Sequence, residues 1–237
     1  MLNQIPETMP EEHYALGSLN LLFFAIWAII LIGWGILFLL KAKKQKVQTA
    51  RSFKLAFGMF GIFYGFCRVF FILMFHIEPE KYYDIFAALA YFTGLIGFTF
   101  IVWALEKVWV MQSKSYDKNY FFLVSLIVTL VALGGLIMIF LGFNEIRETI
   151  LTVIFIGTPI SGLLIFILYV SLIRLSTGIV QKRAIYSLIG LFIMVIGITL
   201  DSQFFLALEF IPNWFKMDVV PLIAIGGYLI FAYINYK

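Results

Sequence analysis

Residues 21–40 read LLFFAIWAIILIGWGILFLL, a run without a single charged side chain. A helix needs about 20 mostly apolar residues to cross a hydrocarbon core of about 30 Å. The strands of an outer-membrane barrel are half that length and alternate in polarity, whereas this run is apolar throughout. It therefore predicts a transmembrane helix.

The same kind of run recurs along the rest of the chain. The predicted spans are residues 21–40, 55–75, 85–105, 120–143, 149–173, 184–208 and 219–236. The only charged side chains within them are Arg68 and Asp201, and the connections between them are too short to form a soluble domain. The sequence therefore predicts an all-α fold, a single domain of seven transmembrane helices over residues 1–237.

The composition agrees with a membrane protein. Hydrophobic residues make up 63% of the chain and charged residues 13%, whereas a typical soluble domain is about half apolar and a quarter charged. These values argue against a soluble enzyme, a disordered chain and a nucleic-acid-binding domain. The formal net charge of +4 then reflects membrane orientation and not a nucleic-acid partner.

Basic residues are distributed unevenly over the connecting loops. Of the 17 lysines and arginines, only Lys81, Arg147 and Lys216 fall on the side opposite to the first loop, and Arg68 lies within a span. Cytoplasmic loops carry the excess of lysine and arginine. We therefore expect a multi-pass protein of the plasma membrane with its N-terminus outside and its C-terminus in the cytoplasm.

Arg68 and Asp201 are the residues most indicative of function. Charges at membrane depth are costly, usually face the bundle interior and mark functional sites. Each of the two lies on a stripe of small residues at helical spacing, which is typical of close helix contacts. The stripes are Gly58, Gly61 and Gly65 before Arg68, and Gly190, Met194 and Gly197 before Asp201.

Two interpretations of this pair remain open. One is a structural ion pair that holds the second and sixth helices together. The other is a ligand-binding site in the outer half of the bundle, in which Arg68 and Asp201 are joined by the polar side chains of Tyr64, Ser202 and Gln203.

The fifth span contains a proline in its interior. Pro159 lies in IGTPISG, between Gly157 and Ser161. Proline removes a helix hydrogen bond, and broken helices build the binding sites of many transporters. The sequence predicts a helix break at this position, which either contributes to a site or only bends the helix.

The spans lack histidine and the residue patterns that are typical of catalysis or metal binding. The two histidines, His13 and His76, lie outside the predicted spans, and no GxSxG nucleophile motif occurs. We therefore expect no enzymatic activity, no catalytic residue, no metal site and no cofactor.

Three segments carry a resemblance to a known group of proteins. They are FGIFYGFCRVFF at 60–71, GFTFIVWALEK at 97–107 and VVPLIAIGGYLIFAY at 219–233. The chain resembles small uncharacterised seven-helix membrane proteins of archaea, which are similar to the membrane sensor regions of histidine kinases. The resemblance implies a seven-helix fold and a sensing role, with a separate effector partner because no kinase domain follows Lys237.

The sequence thus predicts a receptor-like or sensor-like protein that binds a small or lipidic ligand in the outer half of the bundle. The alternatives are a small-solute or ion transporter that uses Arg68, Asp201 and the Pro159 break, and a structural subunit of a membrane complex. The expected partners are membrane lipids, further copies of the chain, and an anionic lipid or a protein at the basic first loop. The basic residues of that loop, at 41–54, are also explained by the excess of lysine and arginine that cytoplasmic loops carry.

Overall fold

The computed structural model of the chain describes residues 18–76, 82–112, 119–143, 147–200 and 219–236. Helices account for nearly all of these residues, and no strand occurs among them. In chain order they are α1 (Ser18–Lys43), α2 (Gln48–His76), α3 (Tyr83–Gln112), α4 (Tyr120–Phe140), α5 (Arg147–Leu175), α6 (Gly178–Leu200) and α7 (Val220–Tyr236).

The helices have the lengths and compositions of membrane spans. Within the described residues, α1 to α6 are each long and apolar enough to cross a membrane, and α7 is a shorter apolar helix. Large apolar side chains are exposed along the outside of the bundle, as at Ile29, Leu130 and Phe192. The chain therefore has the architecture of a multi-pass helical membrane protein.

Most helices extend beyond the predicted spans, because polar turns continue the helix outside its apolar centre. The largest extensions are of seven residues. The helix α2 starts at Gln48, before the predicted start at 55, and α3 runs past the predicted end at 105 and so includes Glu106 and Lys107. The helix α6 starts at Gly178, six residues before the predicted start, and the end predicted at 208 lies outside the described residues.

The helix α4 ends at Phe140, before the predicted end at 143. Gly142 has φ +82°, a left-handed conformation that glycine adopts without the steric cost of a Cβ. Its N–H donates to Ile139 O at 3.1 Å, and the N–H of Phe143 donates to Met138 O at 3.2 Å. These two bonds form a Schellman motif, which stops the helix although the sequence stays apolar.

Glycine determines how closely two pairs of helices approach. A Cβ at Gly61 in α2 would lie 2.8 Å from Leu31 O in α1, and a Cβ at Gly227 in α7 would lie 2.3 Å from Met194 N in α6. The stripe predicted on α2 therefore packs on α1, and the stripe predicted on α6 packs on α7. The helix α3 packs on α2, α4 and α5.

Aromatic side chains form the main core of the bundle. Trp27, Phe60, Tyr64 and Phe231 are almost fully buried and make stacked or edge-on ring contacts with their neighbours. A second, smaller core joins α3, α4 and α5, and Leu95 and Ile154 lie within it.

Polar contacts tie α3 to α4 at two levels. Thr99 Oγ1 lies 2.8 Å from both Ser125 Oγ and Thr129 Oγ1. Nearer the helix end, both carboxyl oxygens of Glu106 accept hydrogen bonds from the first turn of α4, from the N–H of Phe121 at 2.9 Å and of Phe122 at 2.7 Å. Glu106 is fully buried, so a side chain of α3 caps the N-terminus of α4.

Candidate functional site

Arg68 lies inside the bundle, as its charge predicts. It is 4% exposed, and its Nη2 donates a hydrogen bond to Tyr64 Oη at 3.0 Å. Its guanidinium carbon is 3.8 Å from the centre of the Trp27 ring. Phe24 and Phe71 complete an aromatic environment from α1 and α2.

The predicted partners of Arg68 belong to the sixth predicted span, at 184–208. Asp201, Ser202 and Gln203 lie outside the described residues. The Arg68–Asp201 pair therefore stays a prediction, whereas the structure does bring Tyr64 and Arg68 together.

The stacking of Arg68 on Trp27 makes lysine a poor substitute at this position. Arg68→Lys keeps the charge but loses the planar group, and a cation–π contact contributes about 0.5–2 kcal/mol. We expect the free energy of unfolding in detergent to fall by about 1–2 kcal/mol. In a Trp27→Leu background the same substitution should have a smaller effect, and an equal effect would show that stacking is not the cause.

The helix α5 is continuous through Pro159. The backbone therefore does not unwind into two half-helices at the predicted break. Pro159 is exposed, whereas Gly157 is buried, and a Cβ at Gly157 would lie 2.7 Å from Val128 Cγ1. Ser161 is fully buried, and its hydroxyl has no hydrogen-bond partner in the described part of the chain.

Most of the basic residues that the structure describes lie at one end of the bundle. This end is here called the basic end. It contains the C-terminal ends of α1, α3, α5 and α7 and the N-terminal ends of α2, α4 and α6. Hydrogen bonds join several of these helix ends to one another. The basic residues at this end are Lys41, Lys43, Lys44, Lys46, Arg51, Lys54, Lys107, Arg174, Lys182 and Arg183.

Two of these lysines contact the end of α7. Lys54 Nζ donates to Tyr236 O at 2.8 Å and to Asn235 O at 3.4 Å. Lys41 Nζ also donates to Tyr236 O and lies 3.8 Å from the centre of the Tyr236 ring. Cations stabilise the C-terminal carbonyls of a helix, so Lys41 and Lys54 fix the end of α7 against α1 and α2.

A cavity of about 500 Å³ lies beside this contact and is here called the basic-end cavity. Its polar wall contains Lys54, Arg183, Tyr169, Ser187 and Asn235. Lys54 is only 8% exposed, and Arg183 is near enough to repel its charge. Other residues that line it are Gln45, Val47, Thr49, Ala50, Phe53, Leu105, Val108, Leu172, Val180, Ala184 and Ile234.

The polar wall of the basic-end cavity is a connected group. Asn235 Nδ2 donates to Ser187 Oγ at 2.9 Å. The Tyr169 side chain is 2% exposed, and its hydroxyl has no well-formed hydrogen bond within the described residues, although Ser187 and Asn235 lie beside it. The wall therefore presents two cations, Lys54 and Arg183, beside a buried hydroxyl that lacks a well-formed hydrogen bond. The two cations suit an anion.

The sequence predictions did not include this cavity. Tyr169 and Ser187 lie within apolar runs, and Lys54 is one of many lysines in a basic loop. The sequence feature that points to this cavity is Asn235, a polar side chain one residue before the end of the last predicted span.

In the described ranges, no group of three His, Cys, Asp or Glu side chains comes together. The lone Cys67 is buried beside Gly94.

The sequence and the fold match no known family model, curated protein or solved structure. The function of the chain therefore has to be inferred from the arrangement of its own residues.

Proposed function

We propose that this protein is a non-enzymatic, receptor-like membrane protein that binds an anionic ligand in the basic-end cavity. The observation that carries the proposal is a cavity of about 500 Å³ with Lys54 and Arg183 in its wall. Cavities of about 300–1,000 Å³ with a few polar groups in an apolar lining are typical binding sites for small molecules.

A receptor needs a structural element that responds to its ligand. Lys54 provides the link, since it lines the cavity and also donates to the last carbonyls of α7. An anion in the cavity competes with these carbonyls for the ammonium group. Binding then loosens the end of α7 from α2, and a partner at the basic end can detect that change.

The expected orientation of the chain places this site at the cytoplasmic surface, because basic loops face the cytoplasm. The site expected near Arg68 and Asp201 in the outer half is a separate prediction. Its test is a double-mutant cycle between those two residues.

Transport is a second candidate function, and α5 supplies the observation that favours it. Ser161 and Tyr169 lie eight residues apart on α5, a separation of about 12 Å along its axis. Both are buried, and neither hydroxyl has a well-formed hydrogen bond in the described structure. Ligand uptake into proteoliposomes would favour transport over reception.

Neighbouring cations at the start of α6 allow a matched test of anion binding. Lys182 and Arg183 are both exposed, but only Arg183 lines the cavity. We expect Arg183→Gln to weaken binding of laurate up to about fivefold, the effect of an exposed charge pair. Lys54→Met should weaken it more than about tenfold, because Lys54 is buried, and Lys182→Gln should change it less than about twofold.

Native mass spectrometry of the protein in neutral detergent would give these affinities, with methyl laurate as the uncharged comparison. Equal losses for Arg183→Gln and Lys182→Gln would show that only general surface charge attracts the anion. Equal binding of laurate and its methyl ester would contradict the proposal.

A further inference from the structure

We infer that the ligand of the basic-end cavity is a single-chain amphiphile with an anionic head group. The inference rests on the proposed function and adds the chemical class of the ligand. It follows from the composition of the lining, the position of its polar groups, and the volume.

Most of the lining is apolar. Phe53, Leu105, Val108 and Leu172 line the cavity from α2, α3 and α5, and Phe53 and Val108 are partly exposed. A small inorganic anion leaves this surface without a partner. A hydrocarbon chain covers it, and each buried methylene contributes about 0.8 kcal/mol.

Four of the seven polar side chains that line the cavity lie together. Lys54 contacts the Asn235 carbonyl, Asn235 contacts Ser187, and both Asn235 and Ser187 lie beside the Tyr169 hydroxyl. One head group can therefore reach all of them. A carboxylate or phosphate oxygen that displaces the neighbouring Ser187 or Asn235 side chain accepts from the Tyr169 hydroxyl, which is buried and lacks a well-formed hydrogen bond in the described structure.

The volume and the rim select a ligand with one chain. A cavity of about 500 Å³ is in the range that small molecules fill and is too small to enclose both acyl chains of a phospholipid. Val47 and Val180 line it and are 64% and 49% exposed. The cavity therefore reaches the surface at the basic end, where a fatty acid or a lysophospholipid can enter from the membrane interface.

The test is a chain-length series measured by native mass spectrometry on the full chain. The probes are the saturated fatty acids from hexanoate to myristate, lysophosphatidate with one matched chain, and inorganic phosphate. We expect the affinity to increase about fourfold per methylene and then to level off when the cavity is full. Comparing the affinities of a fatty acid and of lysophosphatidate with the same chain distinguishes a carboxylate site from a phosphate site.

Two substitutions connect the series to this cavity. Ala50→Leu reduces the space inside it and should move the plateau to a shorter chain. Tyr169→Phe should weaken binding about tenfold at every chain length, the effect of one hydrogen bond to a charged group. Tyr228→Phe is the matched control, because Tyr228 is equally buried and does not line the cavity.

The outcomes separate this inference from the proposed function. If phosphate and hexanoate bind as tightly as laurate, the chain is not recognised and the inference fails, while the anion site stands. If no probe binds, or if methyl esters bind as well as acids, the proposed function fails. If only vesicles of two-chain anionic lipids bind, and Ala50→Leu has no effect, the occupant is a membrane surface and the inference is wrong.

Discussion

Replacing Gly227 by alanine is expected to lower the free energy of unfolding by about 2–3 kcal/mol, the upper part of the range for overpacking. A Cβ at this position would lie 2.3 Å from Met194 N and 2.8 Å from Gly190 O. Both atoms belong to the backbone of α6, so no flexible side chain can move away. The helices α6 and α7 must therefore separate, and they lose packing along their whole contact.

The adjacent glycine is the matched control. A Cβ at Gly226 would meet nothing within 4 Å, and alanine is more favourable than glycine in a helix by about 0.5–1 kcal/mol. Gly226→Ala should therefore be neutral or stabilising. Reversible unfolding in mixed micelles, followed by circular dichroism, would measure both variants, and similar stabilities would contradict the close α6–α7 contact.

The sequence predicts the helices well because the physical signal is local. An uncharged run of about 20 residues has few stable alternatives in a membrane, and α7 begins within one residue of its predicted start. The ends are less predictable, because they depend on particular contacts. Gly142 stops α4 within an apolar run, whereas α3 continues past Leu105 as far as Gln112.

The candidate site could not be predicted in the same way, because its parts come from distant segments. Lys54 and Tyr236 are 182 residues apart in the chain, and Tyr169 reaches the same cavity from α5. Arg68 is an intermediate case. Tyr64 is one turn away on the same helix face, so helical spacing predicts that contact, whereas the stacking on Trp27 depends on how α1 is oriented.

Glu106 is the second position at which a large loss of stability is expected. Its two carboxyl oxygens accept from the N–H groups of Phe121 and Phe122, in the first turn of α4. Glu106→Ala leaves both groups without an acceptor, and each costs about 1–2 kcal/mol. We therefore expect the free energy of unfolding to fall by about 2–4 kcal/mol.

Two comparison variants separate capping from simple loss of a buried side chain. Glu106→Gln keeps one acceptor oxygen and nearly the same shape, so about half of the loss should be recovered. Asn119 is the N-cap residue of α4, but its side chain makes no capping hydrogen bond. Asn119→Ala should therefore cost less than the roughly 1 kcal/mol of a usual N-cap substitution, because the cap of this helix is supplied by α3. Hydrogen exchange at the first turn of α4 would show the effect directly, with faster exchange in Glu106→Ala than in Asn119→Ala, and the reverse order would place the cap on Asn119.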